Sequence, residues 1–422
     1  MKTRLTIMNF LEFAAWGAYL TSMGAYLYNA GLGTDIGNYY AIQGVVSIFM
    51  PALMGIVADR WVQAQRLLSF CHFMAAVFMG VAAWIGLSAG EGQVNGTALF
   101  WAYTMSVAFY MPTLALSNSV AYSALDKAGL DTVKAFPPIR VFGTIGFICA
   151  MLFVDFTGYQ NTAMQFLVSG AISLVLAMYA LSLPNCPVGR NSTSQSLAEA
   201  FGLKAFTLFK DKKMAFFFIF SFLLGVSLQI TNGYANTYIQ SFGTYGEQFK
   251  GLFFVEHSNL LISLSQMSET LCILLIPFFL KRFGIKKVML ISMFAWVGRF
   301  GFFGLGDPGN GVWLFILSCI VYGVAFDFFN VSGSLFVDKE TDISIRSSAQ
   351  GLFMLMTNGL GSTIGSLTAK GVINHFVYTN PADPSFMSLE GWRTSWYIFA
   401  AYALVVGIAF AILFEYKHER EN

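Results

Sequence analysis

Glu12, Arg140, Glu269, Arg299 and Asp327 are ionisable, and each stands inside an apolar run long enough to cross a membrane. A charge at bilayer depth costs about 2.5–3.5 kcal/mol on insertion scales, so such side chains are expected to face a partner or a water-filled pathway. Their neighbours are amides and aromatics. Gln229 and Asn232 stand three apart, as do Gln266 and Glu269, and Asn236 extends the first pair along the same helix face. Tyr322 and Phe326 stand four apart, with Asp327 on the adjacent face beside Gly323, Asn330 and Ser334. Arg140, Thr144 and Phe147 follow at helical spacing on another run. Amides carry donors and acceptors together, which suits hydroxyls and ring carbonyls, and aromatic side chains stack on a planar ring. These residue types offer reversible capture of a polar, ring-bearing solute.

Burial disfavours the charged form of a carboxylate, a property useful in a proton carrier, and Glu269 and Asp327 are the natural candidates. The alternative for each is a fixed pair with Arg140 or Arg299. Arg140 follows Pro137-Pro138 and has the option of snorkelling to the cytoplasmic end; Arg299, near the outer end of its span, favours a structural role. For Glu12, with Trp16 one turn on, a structural basic partner and a functional role weigh equally. Thr144, Asn236, Asn330 and Asn358 each also fit plain hydrogen bonding between helices, worth about 0.6 kcal/mol apiece.

No enzyme chemistry competes with this reading. The histidines, His72, His257, His375 and His418, have no metal-ligand spacing, and packed or interfacial imidazoles are expected. Cys71, Cys149, Cys186, Cys272 and Cys319 form no CxxC and imply no disulfide framework. There is no Walker motif, zinc motif or Ser-His-Asp cue. No catalytic residue, metal or cofactor is therefore expected.

The elements that must position these residues follow from composition. Of 422 residues 56% are hydrophobic and only 11% charged, against about 25% charged in soluble domains; only a bilayer relieves a chain of hiding that much apolar surface. The basic, then apolar amino terminus resembles a signal peptide, but the run continues past Tyr26 and carries Glu12, so it reads as a retained first helix. Spans of about 20 apolar residues fall near 5–28, 37–58, 67–88, 98–124, 137–154, 162–183, 214–241, 258–280, 287–305, 311–336, 347–374 and 394–415. Twelve spans put both termini on one side, and that side carries 19 of the 24 Lys and Arg against 3 opposite, which makes it cytoplasmic. The polar stretch from Pro184 to Lys213, with an amphipathic segment from Ser196 to Phe209, divides the spans six and six. The expected domains are 1–184, an amino-terminal six-helix half; 185–213, a cytoplasmic linker; and 214–422, a carboxy-terminal half. The expected fold class is an all-α membrane protein of twelve transmembrane helices in two six-helix halves, the plan of the major facilitator superfamily.

A short motif agrees. Gly55-Ile-Val-Ala-Asp59-Arg60, followed by Arg66, resembles that superfamily's loop signature. Gly55 would let two helices approach, and Asp59 would cap a helix and pair with a basic residue such as Arg60, latching one conformation. The plainer reading is an ordinary charged turn. The loop after the eighth span, Lys281 to Lys287, lacks the Asp-Arg pair.

Longer runs are more specific. Phe49-Met-Pro-Ala-Leu-Met-Gly-Ile-Val-Ala-Asp59, Tyr110-Met-Pro-Thr-Leu, Phe136-Pro-Pro-Ile-Arg-Val-Phe-Gly-Thr-Ile-Gly-Phe147, Leu228-Gln-Ile-Thr-Asn232, Ser265-Gln-Met-Ser-Glu-Thr270, Tyr322-Gly-Val-Ala-Phe-Asp-Phe-Phe-Asn330 and Ala349-Gln-Gly-Leu-Phe-Met-Leu-Met-Thr-Asn-Gly359 span nearly the whole chain. Through them the sequence resembles the bacterial nucleoside:proton symporters of the major facilitator superfamily. The resemblance implies uptake of purine and pyrimidine nucleosides, such as uridine and adenosine, with protons across the inner membrane. It places the substrate site on Arg140, Thr144, Phe147, Gln229, Asn232, Gln266, Glu269, Tyr322 and Phe326, and makes Asp327 a coupling or conformational residue. The amides would hold ribose hydroxyls or base edges, Glu269 would accept ribose hydroxyls, and the aromatics would stack on the base. The expected partners are a nucleoside, protons and the lipid bilayer, with no nucleic acid, and the chain is expected to act as a monomer. The alternatives are a carrier of a sugar, nucleobase or drug on the same fold, or a nucleoside sensor that does not transport.

Overall fold

Apolar segments in lipid can satisfy every backbone N–H and C=O internally only as helices or closed barrels. In the computed structural model, which describes residues 1–90, 93–186, 203–380 and 386–416, the described residues are helical and contain no strand. The chain divides into two compact units, Met1–Ala200 and Phe201–Asn422.

The first unit contains α1 (Lys2–Gly17), α2 (Met23–Asn29), α3 (Ile36–Arg60), α4 (Ala64–Ser88), α5 (Gly96–Lys127), α6 (Thr132–Phe156) and α7 (Met164–Ala180). Helices α1 and α6 pack backbone to backbone: a Cβ on Gly17 would strike the Phe147 carbonyl, and one on Gly146 the Phe10 carbonyl. Only glycine permits this approach, which brings Phe147 and Arg140 to the helix that carries Glu12. Leu5, Met8, Leu68, Cys71, Val120 and Ile139 belong to the apolar cluster beneath.

In the second unit a 3₁₀ helix, Leu203–Lys210, leads into α8 (Lys212–Gly225). Asp211 caps α8 by accepting from the Met214 amide at 2.9 Å. Then come α9 (Ile230–Ser241), α10 (Ser258–Leu305), α11 (Val312–Glu340), α12 (Ile343–Met354), a π-helical segment (Leu355–Gly361), α13 (Ser362–Phe376) and α14 (Leu389–Leu413). Gly323 of α11 lies against the Ser268 backbone of α10, where a Cβ would come within 2.6 Å. Tyr238, Trp392 and Trp396 form an aromatic core with Phe303 and Phe315. Elsewhere Trp84, Leu274 and Ile412 stand exposed, as a lipid-facing surface permits.

All twelve expected spans are helical, three of them in pieces. Span 5–28 is α1 and α2, span 214–241 is α8 and α9, and span 347–374 is α12, the π segment and α13. The loop between 280 and 287 is shorter than expected: α10 is two helices joined at Gly284, whose backbone is non-helical (φ 77°, ψ 169°). At 1.5 Å per residue the helical stretches on either side of Gly284 run about 39 and 32 Å, each enough to cross a ~30 Å core. Of the expected amphipathic linker segment, residues 196–202 lie outside the described residues.

Candidate functional site

The polar residues gather where helices break. Between α8 and α9 the bonds tighten: the Ser227 amide donates to Leu224 and the Leu228 amide to Gly225, three residues back instead of four. The Leu223 carbonyl loses its helical partner and is satisfied by the Tyr402 hydroxyl of α14 at 2.7 Å. Room for the break comes from small residues on the facing segment, since Gly361 lies against Phe222 and Gly225. Gln229 thereby becomes the residue preceding α9, and Asn232 Nδ2 donates to its Oε1 at 3.0 Å. Both amides are half-buried.

The stripe expected on this span divides at that break. Asn236 is fully buried and turns to another helix: its Nδ2 donates to Asn259 Oδ1 at 2.8 Å, and its Oδ1 accepts from Gln240 and Ser258. It is interhelical hydrogen bonding, whereas Gln229 and Asn232 keep accessible edges.

On α10, Gln266 and Glu269 are both half-buried one turn apart. On α11, Tyr322 and Phe326 stack at 5.7 Å and 15°, and Trp296 meets Tyr322 edge-on at 6.0 Å. Tyr322 is within electrostatic reach of Glu269, Arg299 and Asp327. Asp327 is buried. Arg299 is 2% exposed and its guanidinium lies over Tyr322 and Phe303 at 4.9 and 4.8 Å. Its Nη1 donates to Ser318, whose hydroxyl in turn donates to the Arg299 carbonyl, so Arg299 is built into the packing behind the tyrosine. In this unit the structure thus brings the Tyr322–Phe326 stack, Glu269 and Asp327 together, with Gln229 and Asn232 paired on their own segment.

In the first unit Arg140, Thr144 and Phe147 share α6. Arg140 and Thr144 are half-buried and Phe147 is buried. The Arg140 guanidinium lies 3.9 Å over the Phe13 ring, and Trp16 meets Phe147 edge-on at 6.2 Å. Helix α1 breaks just beyond. The Tyr19 amide bonds back to Trp16, three residues away, and the Ala15 carbonyl so released accepts from Ser169 of α7 at 2.6 Å. The two units therefore use one device: their first helix breaks, and a hydroxyl from their last long helix caps the break.

The loop motif stands differently from its expectation. Gly55 faces open space, with no heavy atom within 4 Å of a Cβ placed there, so it does not serve close helix approach in this structure. Arg60 ends α3 and is exposed, and the Asp59 side chain lies outside the described residues.

A polar cluster escaped the sequence reading. Glu12 and His72 are both fully buried, with Nε2 to Oε2 at 2.8 Å. Thr113 Oγ1 lies 2.5 Å from Glu12 Oε1, and the Tyr110 hydroxyl donates to the Glu12 carbonyl at 2.8 Å. The partner of Glu12 is thus an imidazole and a hydroxyl, not a lysine or arginine. The signal was an acid and a histidine in apolar spans; the pairing crosses 60 residues of sequence.

The model of the nucleoside H+ symporters matches residues 1–419. The chain belongs to the nucleoside H+ symporter family. Relatives of this symporter include the xanthosine permease of Escherichia coli, 45% identical over 99% of this chain and 97% of that protein. The nucleoside permease NupG of the same organism is 44% identical over 100% of this chain and 97% of its own length. A crystal structure of the nucleoside transporter NupG superposes with a TM-score of 0.89 at 45% identity, covering 99% of each chain. A D-xylose–proton symporter matches with a TM-score of 0.69 at 14% identity, a likeness of fold alone. The symporter is accordingly a multi-pass, all-α membrane transporter with the major facilitator fold, and not an enzyme.

Proposed function

We propose that this protein carries purine and pyrimidine nucleosides, uridine and adenosine among them, inward across the bacterial inner membrane together with protons, by alternating access. The observation that carries this reading is the half-buried amide and aromatic set: the Gln229–Asn232 pair, Gln266 and the Tyr322–Phe326 stack, in a chain of a nucleoside symporter family. Amides grip ribose hydroxyls or base edges, rings stack on the base, and Glu269 accepts ribose hydroxyls when ionised. Arg140, Thr144 and Phe147 are the substrate-binding residues of the first unit. Asp327 and Glu269 carry the coupling, because adding or removing a proton changes which of two states each contact favours. The latch role of Gly55, Asp59 and Arg60 rests chiefly on the pairing of Asp59 with a basic residue such as Arg60, since a Cβ at Gly55 would meet no neighbouring helix. Nucleoside and proton are the partners, no nucleic acid takes part, and the chain acts as a monomer with both termini cytoplasmic.

The test is labelled uridine uptake into cells without their own nucleoside carriers, in acid and neutral medium, with and without a protonophore. Uptake is expected to rise in acid and collapse with the protonophore. Uptake that ignores the protonophore would mean facilitated diffusion, and no uptake with any of uridine, adenosine or xanthosine would remove the nucleoside reading. Competition among the three ranks them, which near-equal identity to the xanthosine permease and to NupG cannot do.

A further inference from the structure

The buried cluster at Glu12 holds more hydrogen-bond contacts than an ionised carboxylate can supply with protons. Three contacts need one hydrogen each. Glu12 Oε2 faces His72 Nε2 at 2.8 Å, Glu12 Oε1 faces Thr113 Oγ1 at 2.5 Å, and Thr113 Oγ1 faces the Tyr110 carbonyl at 2.5 Å. A neutral His72 supplies the first hydrogen through Nε2–H, and Thr113 has one hydroxyl hydrogen for either of its two contacts. With Glu12 ionised, one short oxygen–oxygen contact holds no hydrogen. Charging His72 does not help, because the added proton would sit on Nδ1, which is buried and has no protein hydrogen-bond partner. A proton on Glu12 Oε1 completes the set: Oε1–H donates to Thr113, Thr113 donates to the Tyr110 carbonyl, and His72 donates to Oε2.

The groups around the cluster do not replace that proton. From α4 the other titratable neighbour is Cys71, within electrostatic reach of Glu12. From α5 comes Tyr110, which itself is within reach of Glu12, Tyr19 and Arg140. Helix α6 brings Arg140, stacked on Phe13, and, four turns on, Asp155. From α7, Tyr179 bonds the Arg4 carbonyl, two turns from Glu12. Arg140, on the helix packed against α1, lies within electrostatic reach of Tyr110 and has its guanidinium face over the Phe13 ring. The cluster sits next to Trp16, whose ring lies 6.0 Å from Tyr110 and 6.2 Å from Phe147, so a change of charge at Glu12 adjoins the break in α1.

We propose that Glu12, held by Thr113 and His72, is a second proton-binding site of the transport cycle, lying wholly within the amino-terminal unit. The proposal rests on the reading of the protein as a proton-coupled carrier and adds a site to it. Release breaks the Oε1–H bond and passes the proton to water. The Thr113 hydrogen then turns from the Tyr110 carbonyl to Oε1, and His72 continues to donate to Oε2. The buried cluster changes from neutral to singly negative, a change large enough at low dielectric to bias a conformational equilibrium.

Infrared difference spectra of purified full-length protein, wild type minus Glu12→Gln at neutral pH, test the protonation directly. The expected result is the carbonyl band of a neutral carboxylic acid, present in the wild type and missing from the variant. Bands of an ionised carboxylate alone would overturn the proposal. This readout needs no substrate: absence of uridine uptake by the wild type would sink the symport reading, and the spectra would still decide Glu12. The introduced amide donates toward Thr113 and accepts from His72, imitating a proton that never leaves. Reconstituted Glu12→Gln is therefore expected to exchange uridine across the vesicle membrane while losing proton-driven accumulation. Accumulation at the wild-type level, or loss of exchange in a variant with wild-type thermal unfolding, would overturn the role. Should Glu12→Gln fail to fold, Thr113→Val removes only the hydroxyl. The acid band is then expected to move to higher frequency and the pH profile of uptake to shift; an unmoved band would count against the geometry.

Discussion

Glutamate and glutamine at position 269 differ by one charge and little shape, so Glu269→Gln isolates what the charge does. Glu269 is half-buried on α10 and within electrostatic reach of Tyr322. Hydrogen bonds to an ionised group contribute about 1.5–3 kcal/mol, so the variant is expected to lose uridine affinity by about tenfold or more and to flatten the acid dependence of uptake. Saturation curves at several pH values measure both; a variant with wild-type affinity and pH profile would take Glu269 out of both roles. At this scale sequence spacing located residues but not partners. Gln229 and Asn232 are three apart and do meet, because one helical turn fixes such a pair wherever the segment lies. Asn236 obeyed the same spacing, yet it bonds Asn259; the competing acceptor comes from another helix, which periodicity does not see. Glu12 and His72 were invisible as a pair for the same reason.

Hydropathy reports where a helix crosses and is silent about where it breaks. A tightened turn keeps its apolar side chains, so 5–28 and 214–241 read as single spans while the structure divides them. The matching caps, Ser169 on the Ala15 carbonyl and Tyr402 on the Leu223 carbonyl, were equally illegible, since a serine and a tyrosine in apolar helices have many possible partners. These caps can be tested. Removing either hydroxyl leaves a carbonyl without its cap, buried at Ala15 and partly buried at Leu223, a loss of about 1–3 kcal/mol for the buried one. Ser169→Ala and Tyr402→Phe are each expected to lower the thermal midpoint of the purified protein, and the double variant to add the two losses because they lie in different units. Tyr402→Phe should also weaken uridine binding, since the break it caps precedes Gln229 and Asn232. Wild-type stability and affinity in both variants would mean the breaks hold without their caps. Gly284 makes a further point about elements. The hydropathy gap there corresponds to a single non-helical glycine at positive φ that separates the two helices of α10, and the basic residues stay helical on either side.

For the whole molecule, the twelve-span plan was legible because each span must satisfy its own backbone in lipid, and the charge asymmetry carries a prediction that no single helix does. Nineteen basic residues fall on the side of the termini and three on the other, and orientation follows the basic side toward the cytoplasm. Lys281, Arg282, Lys286 and Lys287 flank Gly284, where the backbone between the two helices of α10 is non-helical, and the twelve-span plan counts all four on the basic side. Fusing a fluorescent protein that matures only in the cytoplasm after Asn422 is expected to give fluorescence. A cysteine replacing Lys250, in a background without the native cysteines, is expected to react with a membrane-impermeant maleimide in intact cells. A cysteine replacing Arg282 is expected to react only after the membrane is opened. Labelling of the 282 position in intact cells would invert the topology, and with it the side from which protons would reach the sites proposed at Glu12 and Asp327.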